Sequence, residues 1–207
     1  MKMFSTLTAC ACFLAAAVHA QDVAITPDMT RAEFAVNGQN ILIERNQDAD
    51  AVIEPGFAKT SRACPPFCIH PMSGGEGVET VGEIELIDFI DNYVEEGTGL
   101  LVDSRIPSWF EKGTIPSAIN IPFTALEPTN QYRDEILQAL GGVKSGDNWD
   151  YSAATDLLLS CNGPWCDQSP RAIQNLLSAG YPAEKIRYYR GGMQLWLLLG
   201  LTTAQNG

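Results

Sequence analysis

The apolar run Leu157-Leu158-Leu159, which ends in Ser160-Cys161, constrains the fold more than any other segment. Three successive leucines leave no polar side, so this strand must be covered on both faces, as in a parallel sheet flanked by helices. Ser169-Pro170 then opens a helix, with Ser169 as N-cap and Pro170 at the first position. Ile173, Leu176 and Leu177 form its core face, and Gly180 stops it. The same alternation recurs on either side. Leu86, Ile87, Ile90, Tyr93 and Val94 make a helical stripe ended by Gly97. Gly99 to Asp103 is a short apolar strand, and Ala118 to Ile121 a second. Tyr132 to Leu140 is a helix closed by Gly141-Gly142. Lys185 to Tyr189 is a last strand, followed by Gly191-Gly192 and the apolar helix Met193 to Leu199. Strands alternating with helices predict an α/β domain over residues 80–203.

Residues 21–79 read as an extension. Phe34 and Val36, then Asn37-Gly38, then Ile41 and Ile43 predict a hairpin with a type I′ turn. Cys64-Pro65-Pro66-Phe67-Cys68 is a rigid segment that joins neither helix nor sheet. Ser73 to Gly77 reads as a linker. Residues 1–20 carry the pattern of a cleaved export signal. Lys2 precedes an apolar stretch, and Val18-His19-Ala20 places small residues at minus three and minus one before Gln21. The expected product is a periplasmic or secreted chain with no membrane span after cleavage.

Charge narrows the partners. Thirteen Lys+Arg against 25 Asp+Glu give a formal charge of -12. Such a chain repels phosphate backbones and anionic lipid, so nucleic acid is not expected as a partner. The two histidines, His19 and His70, are too few for a multi-histidine metal site.

Chemistry therefore falls to cysteine. After signal cleavage four remain, in two close pairs: Cys64 with Cys68, and Cys161 with Cys166. Tiny loops gain little from cross-linking, so the spacing suits redox or sulfur chemistry as well as stapling. Cys161 directly follows a buried strand and precedes a helix, where reactive crevices form in α/β sheets. A loop there turns backbone N–H groups and a helix dipole toward its first residue, lowering a thiol's pKa. Two readings of Cys166 stay open: a resolving thiol for Cys161, or a permanent Cys161–Cys166 disulfide that silences it. Cys64–Cys68 reads as a local disulfide or as a redox pair lying over the active loop. Convergence of all four on Zn²⁺ or Cu⁺ is not specified by such spacing, and no metal is assigned.

Several segments together resemble the rhodanese-like domain family, which moves sulfane sulfur through a cysteine persulfide. They are Leu101 to Arg105, Glu111 to Pro122, Leu159-Ser160-Cys161, Ala179-Gly180-Tyr181, and Arg190-Gly191-Gly192 with Trp196. The resemblance implies a mostly parallel five-stranded sheet with helices on both faces. It makes Cys161 the sulfur-accepting nucleophile, with Asp103 and Arg105 supporting the active loop. It calls for no cofactor. Asn162, Gly163, Trp165, Asp167, Ser169 and Arg171 are the candidate substrate contacts. The loop Cys161-Asn162-Gly163-Pro164-Trp165-Cys166 departs from the family's glycine-rich, often basic pattern and is followed by Asp167. A carboxylate there opposes a dianion such as thiosulfate, so a neutral or thiol-borne sulfur donor is expected. The resulting expectation is an exported sulfurtransferase whose partners are a small sulfur donor and a thiol acceptor, small molecule or protein. The alternatives are a binding module with two structural disulfides, and a dithiol redox protein.

Overall fold

A computed structural model describes residues 22–205; the expected export signal over residues 1–20, with Cys10 and Cys12, lies outside them. In chain order, β1 (Arg31–Val36) and β2 (Gln39–Glu44) form an antiparallel hairpin. A single turn, α1 (Pro55–Ala58), and the Cys64–Cys68 segment lead to β3 (Glu79–Val81). α2 (Glu83–Phe89) continues into a wider π-type turn, Ile90–Val94. Then come β4 (Gly99–Asp103), α3 (Pro107–Phe110), β5 (Ile119–Asn120) and α4 (Arg133–Ala139). A small hairpin, β6 (Val143–Ser145) and β7 (Asn148–Asp150), precedes β8 (Asp156–Ser160). α5 (Gln168–Ser178), β9 (Ile186–Tyr189) and α6 (Gly192–Leu198) complete the order.

The main sheet has the order β3-β9-β8-β4-β5, and every pairing in it is parallel. The triple-leucine strand β8 lies at its centre. Successive side chains of a strand point to opposite faces. Leu158 accordingly packs with Leu86, Ile90, Met193 and Trp196, whereas Leu157 and Leu159 pack with Leu137, Ile173 and Leu176. This places α2 and α6 on one face and α4 and α5 on the other.

The predicted I′ turn is present: Asn37 and Gly38 both have positive φ, 51° and 76°, and Val36 pairs with Gln39. The hairpin is not peripheral, because Phe34, Val36 and Ile43 join the core that contains Trp196. Two readings are corrected. The Ser73–Gly77 stretch is no free linker: Gly74 is buried, its carbonyl accepts from Gln174 Nε2 at 2.9 Å, and an added Cβ would meet Ile173 Cδ1 at 2.8 Å. Ser169 is not the N-cap, because α5 begins one residue earlier and draws Ser169 into its first turn. Strands β3, β6 and β7 have no counterpart in the sequence reading. Each is three residues long, too short to express an alternation.

Leu158 is wholly buried at the centre of the sheet. Leu158→Ala is expected to lower the unfolding free energy by about 3 kcal/mol, since a close-packed interior cannot collapse around the void. Urea denaturation checks this; a loss below about 1 kcal/mol would mean the centre of the sheet is loosely packed.

Candidate active site

Cys161 follows the last residue of β8, and seven residues, Cys161 to Asp167, bridge to α5. The loop is gripped from behind by the first turn of α6. Met193 N–H donates to the Cys161 carbonyl and Gln194 N–H to the Asn162 carbonyl, both at 2.9 Å. That approach requires glycine at 192. Its φ is +55°, and a Cβ there would sit 2.4 Å from the Cys161 oxygen and 2.6 Å from the Gly163 nitrogen. Gly163 itself has φ +152° and closes a turn in which Cys166 N–H donates to its carbonyl at 2.9 Å.

Cys161 and Cys166 are both free thiols and both buried, Cys161 at 2% exposure. As a thiol, Cys161 donates to the Cys166 carbonyl at 3.4 Å. Burial alone would push its pKa up. The opposing contributions win: the Cys166 thiol, the Ser169 N–H and hydroxyl, and the Gly163 N–H all donate to the Cys161 anion and lower its pKa from 9.0 to about 7. Cys166 moves the other way. Its hydrogen bond to Cys161 and its own burial push it far up, so it stays protonated and serves as donor. Asn162 Nδ2 lies 3.8 Å from the Cys166 sulfur. Two buried hydroxyls near the nucleophile, Ser169 and Tyr188, have no partner of their own. The Ser169 hydroxyl is thus available to the Cys161 anion. Tyr188 is held as a phenol, by burial first and then by the neighbouring Cys161 charge.

Asp103 and Arg105 are buried, both at 1% exposure. Asp103 accepts from Arg105 Nε (2.9 Å) and Nη2 (2.6 Å), and from the Thr114 hydroxyl (2.7 Å). Arg105 also donates to the Gly113 carbonyl at 2.6 Å and to Asn162 Oδ1 at 3.4 Å. The pair touches the loop through Asn162 and does not reach the reacting sulfur. Its part is positioning.

The other predicted residues divide into two sets. Trp165 packs inward, its Nε1–H donating to Gln194 Oε1 at 2.7 Å. Asp167 and Arg171 line a groove of about 600 Å³ beside the loop, together with His70, Glu127 and Gln174. Arg171 is already occupied: it pairs with Glu127 at 2.5 Å and with Asp167 at 3.8 Å. No free cation of the loop faces Cys161.

Cys64 and Cys68 form a disulfide, and their segment lies across the active loop. His70 N–H donates to the Pro164 carbonyl at 2.9 Å. Phe67 meets Trp165 edge-on, ring centroids 5.7 Å apart, and the Arg62 guanidinium stacks 3.8 Å from the Trp165 ring centre. Arg190 holds the strap from the other side, donating to the carbonyls of His70 (2.8 Å) and Pro71 (3.1 Å). The sequence reading gave no site role to Arg62, Arg190, Gln194 or Tyr188. Cations are scarce in this acidic chain, and the position of Arg62 two residues before Cys64 was the available signal.

A cysteine activated by loop N–H groups at the end of a parallel strand, facing a helix N-terminus, defines an α/β protein with a thiolate-centred loop. The rhodanese-like domain model matches residues 87–199, and the chain belongs to that family. No curated protein matches it. Among solved structures it is similar to the human single-domain sulfurtransferase TSTD1, with 29% identity over 58% of this chain and 96% of that one and a TM-score of 0.40. It is also similar to the BH2092 protein from Bacillus halodurans (19% identity, 59% and 72% covered, TM-score 0.42). A third is a rhodanese-related protein from Thermoplasma volcanium (18%, 62% and 99%, TM-score 0.39).

Two outcomes are expected. Because the thiolate is the nucleophile, alkylation of Cys161 should rise about tenfold per pH unit below 7 and level off above it, with the midpoint near 7. In Ser169→Ala the midpoint moves up. The rate of iodoacetamide labelling, followed by peptide mass mapping, reads both, and a wild-type midpoint of an ordinary thiol would contradict the assigned donors. Arg105→Ala leaves Asp103 buried and unpaired, so it should cost about 3–5 kcal/mol of stability by urea denaturation.

Proposed function

We propose that the protein is a sulfurtransferase that passes sulfane sulfur through a persulfide on Cys161. The observation that carries this is the depressed pKa of a buried thiol ringed by donors. The Cys161 thiolate attacks the outer sulfur of a thiol-borne donor, R–S–SH. The new S–S bond gives Cys161–S–SH, and the donor leaves as R–S⁻. An acceptor thiolate then takes that outer sulfur and Cys161 leaves as thiolate, so no net oxidation occurs. The Gly163 and Ser169 N–H groups and the Ser169 hydroxyl balance the negative charge at each stage.

Donor choice follows from charge. Arg171 is neutralised by Glu127 and Asp167, and Asp167 adjoins the loop. A dianion such as thiosulfate finds no unpaired guanidinium of the loop to hold it. A neutral or thiol-borne donor fits better, and the acceptor is a small thiol or a protein thiol. The leader pattern of residues 1–20 supports a periplasmic or secreted site of action.

One observation supports a second reading. Cys166 is close enough to donate to Cys161, so it can also displace hydrosulfide from the persulfide and close a Cys161–Cys166 disulfide. The protein would then work as a dithiol couple that needs an external reductant after each cycle.

Intact mass spectrometry after treatment with a low-molecular-weight persulfide separates these. Sulfur transfer predicts a gain of one sulfur atom, abolished by Cys161→Ser and retained in Cys166→Ser, with thiosulfate loading far more slowly. The dithiol reading predicts a persulfide that persists only in Cys166→Ser, whereas wild type loses two hydrogens. No adduct in either protein would overturn sulfur transfer.

A further inference from the structure

The Cys64–Cys68 disulfide occupies an unusual place. It is remote from the sheet, contributes nothing to the core, and closes a segment only five residues long, Cys64 to Cys68. A cross-link of that span stabilises the fold little through chain entropy. Yet the segment it shapes covers the active loop. Phe67, inside the disulfide loop, packs on Trp165, and His70, two residues beyond it, bonds to Pro164. The pieces that hold this strap down are polar or aromatic: the Arg62 stack, the Phe67 edge contact, the backbone hydrogen bond of His70, two hydrogen bonds from Arg190, and one from the Thr80 hydroxyl to the Met72 carbonyl. In this closed arrangement Cys161 is 2% exposed and Cys166 5% exposed, which slows the approach of a donor or an acceptor to either sulfur.

The disulfide itself faces outward. Cys64 is exposed, and the same segment carries exposed apolar side chains: Ile69 at 83% exposure, Met72 at 66%, and Phe67, packed edge-on against Trp165, still at 41%. An exposed disulfide in a segment with exposed apolar side chains is suited to attack by a thiol carried on another protein.

We propose that Cys64–Cys68 is a second reactive site, a disulfide reduced by an external dithiol, and that its reduction releases the strap and uncovers Cys161. The chemistry balances with the dithiol as the only co-reactant. One thiolate attacks the Cys64 sulfur, the Cys64–Cys68 bond breaks, and Cys68 leaves as thiolate and takes a proton. The second thiol of the reductant displaces Cys64 from the mixed disulfide. The dithiol ends as a disulfide, having given two electrons, and both cysteines end as thiols. Once the cross-link is gone, the ring that fixes Phe67 against Trp165 opens. The ordering cost of the segment then falls on the hydrogen bonds of His70, Arg190 and Thr80 and on the Arg62 stack. The sulfurtransferase reading is not required: the readouts are exposure and thiol labelling, so failure of one proposal is distinguishable from failure of the other.

The test uses the full chain with Cys161 and Cys166 confirmed as thiols by mass, under anaerobic conditions. Limiting dithiothreitol is added, and amide hydrogen exchange is followed in peptides covering residues 64–72 and the active loop. Reduction of Cys64–Cys68 should speed exchange across 64–72 by about tenfold or more while leaving the sheet strands unchanged. In parallel, the Cys64→Ser, Cys68→Ser double variant should show Cys161 labelling by iodoacetamide about tenfold faster than oxidised wild type, with the same pH midpoint. Should the double variant fail to fold, the exchange measurement on wild type decides alone. Unchanged exchange after complete reduction of Cys64–Cys68, or resistance of that disulfide to dithiothreitol, would overturn the proposal.

Discussion

The grip of helix α6 on the active loop is the constraint on which the site depends. Two consecutive carbonyls, of Cys161 and Asn162, are each held by a backbone N–H of the next helix's first turn. This is possible because residue 192 has no side chain and takes a conformation that other residues avoid. With the carbonyls tied back, the Gly163 N–H, joined by that of Ser169, turns toward the Cys161 sulfur. The low pKa of Cys161 thus has its origin on the opposite side of the backbone from the thiol. The buried Asp103–Arg105 pair adds a third anchor through Asn162. Its desolvation is offset by a full set of hydrogen bonds rather than by charge attraction alone.

The two cysteines of the loop divide their duties because they share one proton environment. Both sulfurs accept from the backbone, Cys161 from the N–H groups of Gly163 and Ser169 and Cys166 from those of Asn162 and Gln168. The sulfur with the fuller set of donors becomes the anion, and the other stays protonated to donate to it. The Ser169 hydroxyl, which serves Cys161, makes that difference, and Cys166 keeps the donor role with a raised pKa.

Much of this was legible in the amino-acid order, for physical reasons. The triple leucine of β8 admits only a strand covered on both faces, and the structure places it at the centre of the sheet. Asn37-Gly38 admits only one kind of two-residue turn, and that turn forms. Cys161 was expected directly after a strand and ahead of a helix, and the structure places it there. What escaped notice were contacts between segments far apart in sequence. Nothing near Ser73–Gly77 says that its glycines fit between Ile173, Tyr188 and Leu177. Nothing near Arg190 says that its guanidinium holds carbonyls more than a hundred residues earlier. Ser169 looked like a cap because its neighbour is proline. In the structure it lies within the first turn, where its N–H and hydroxyl serve the thiolate instead.

The pairing of the chain's two ends has an architectural consequence. Glu44, at the end of the N-terminal hairpin, accepts through its carbonyl from Thr202 N–H at 3.0 Å, while its own N–H donates to the Thr202 hydroxyl at 2.9 Å. Asn46 N–H donates to Gly200, and Thr202 also takes the indole proton of Trp196 at 2.7 Å. The last residues after α6 therefore act as a seam that sews the hairpin to the helix bearing the loop's anchor. Trimming the tail at Gly200 would leave the Trp196 indole and the peptide groups of Glu44 unmatched, at the helix whose first turn holds the Cys161 loop.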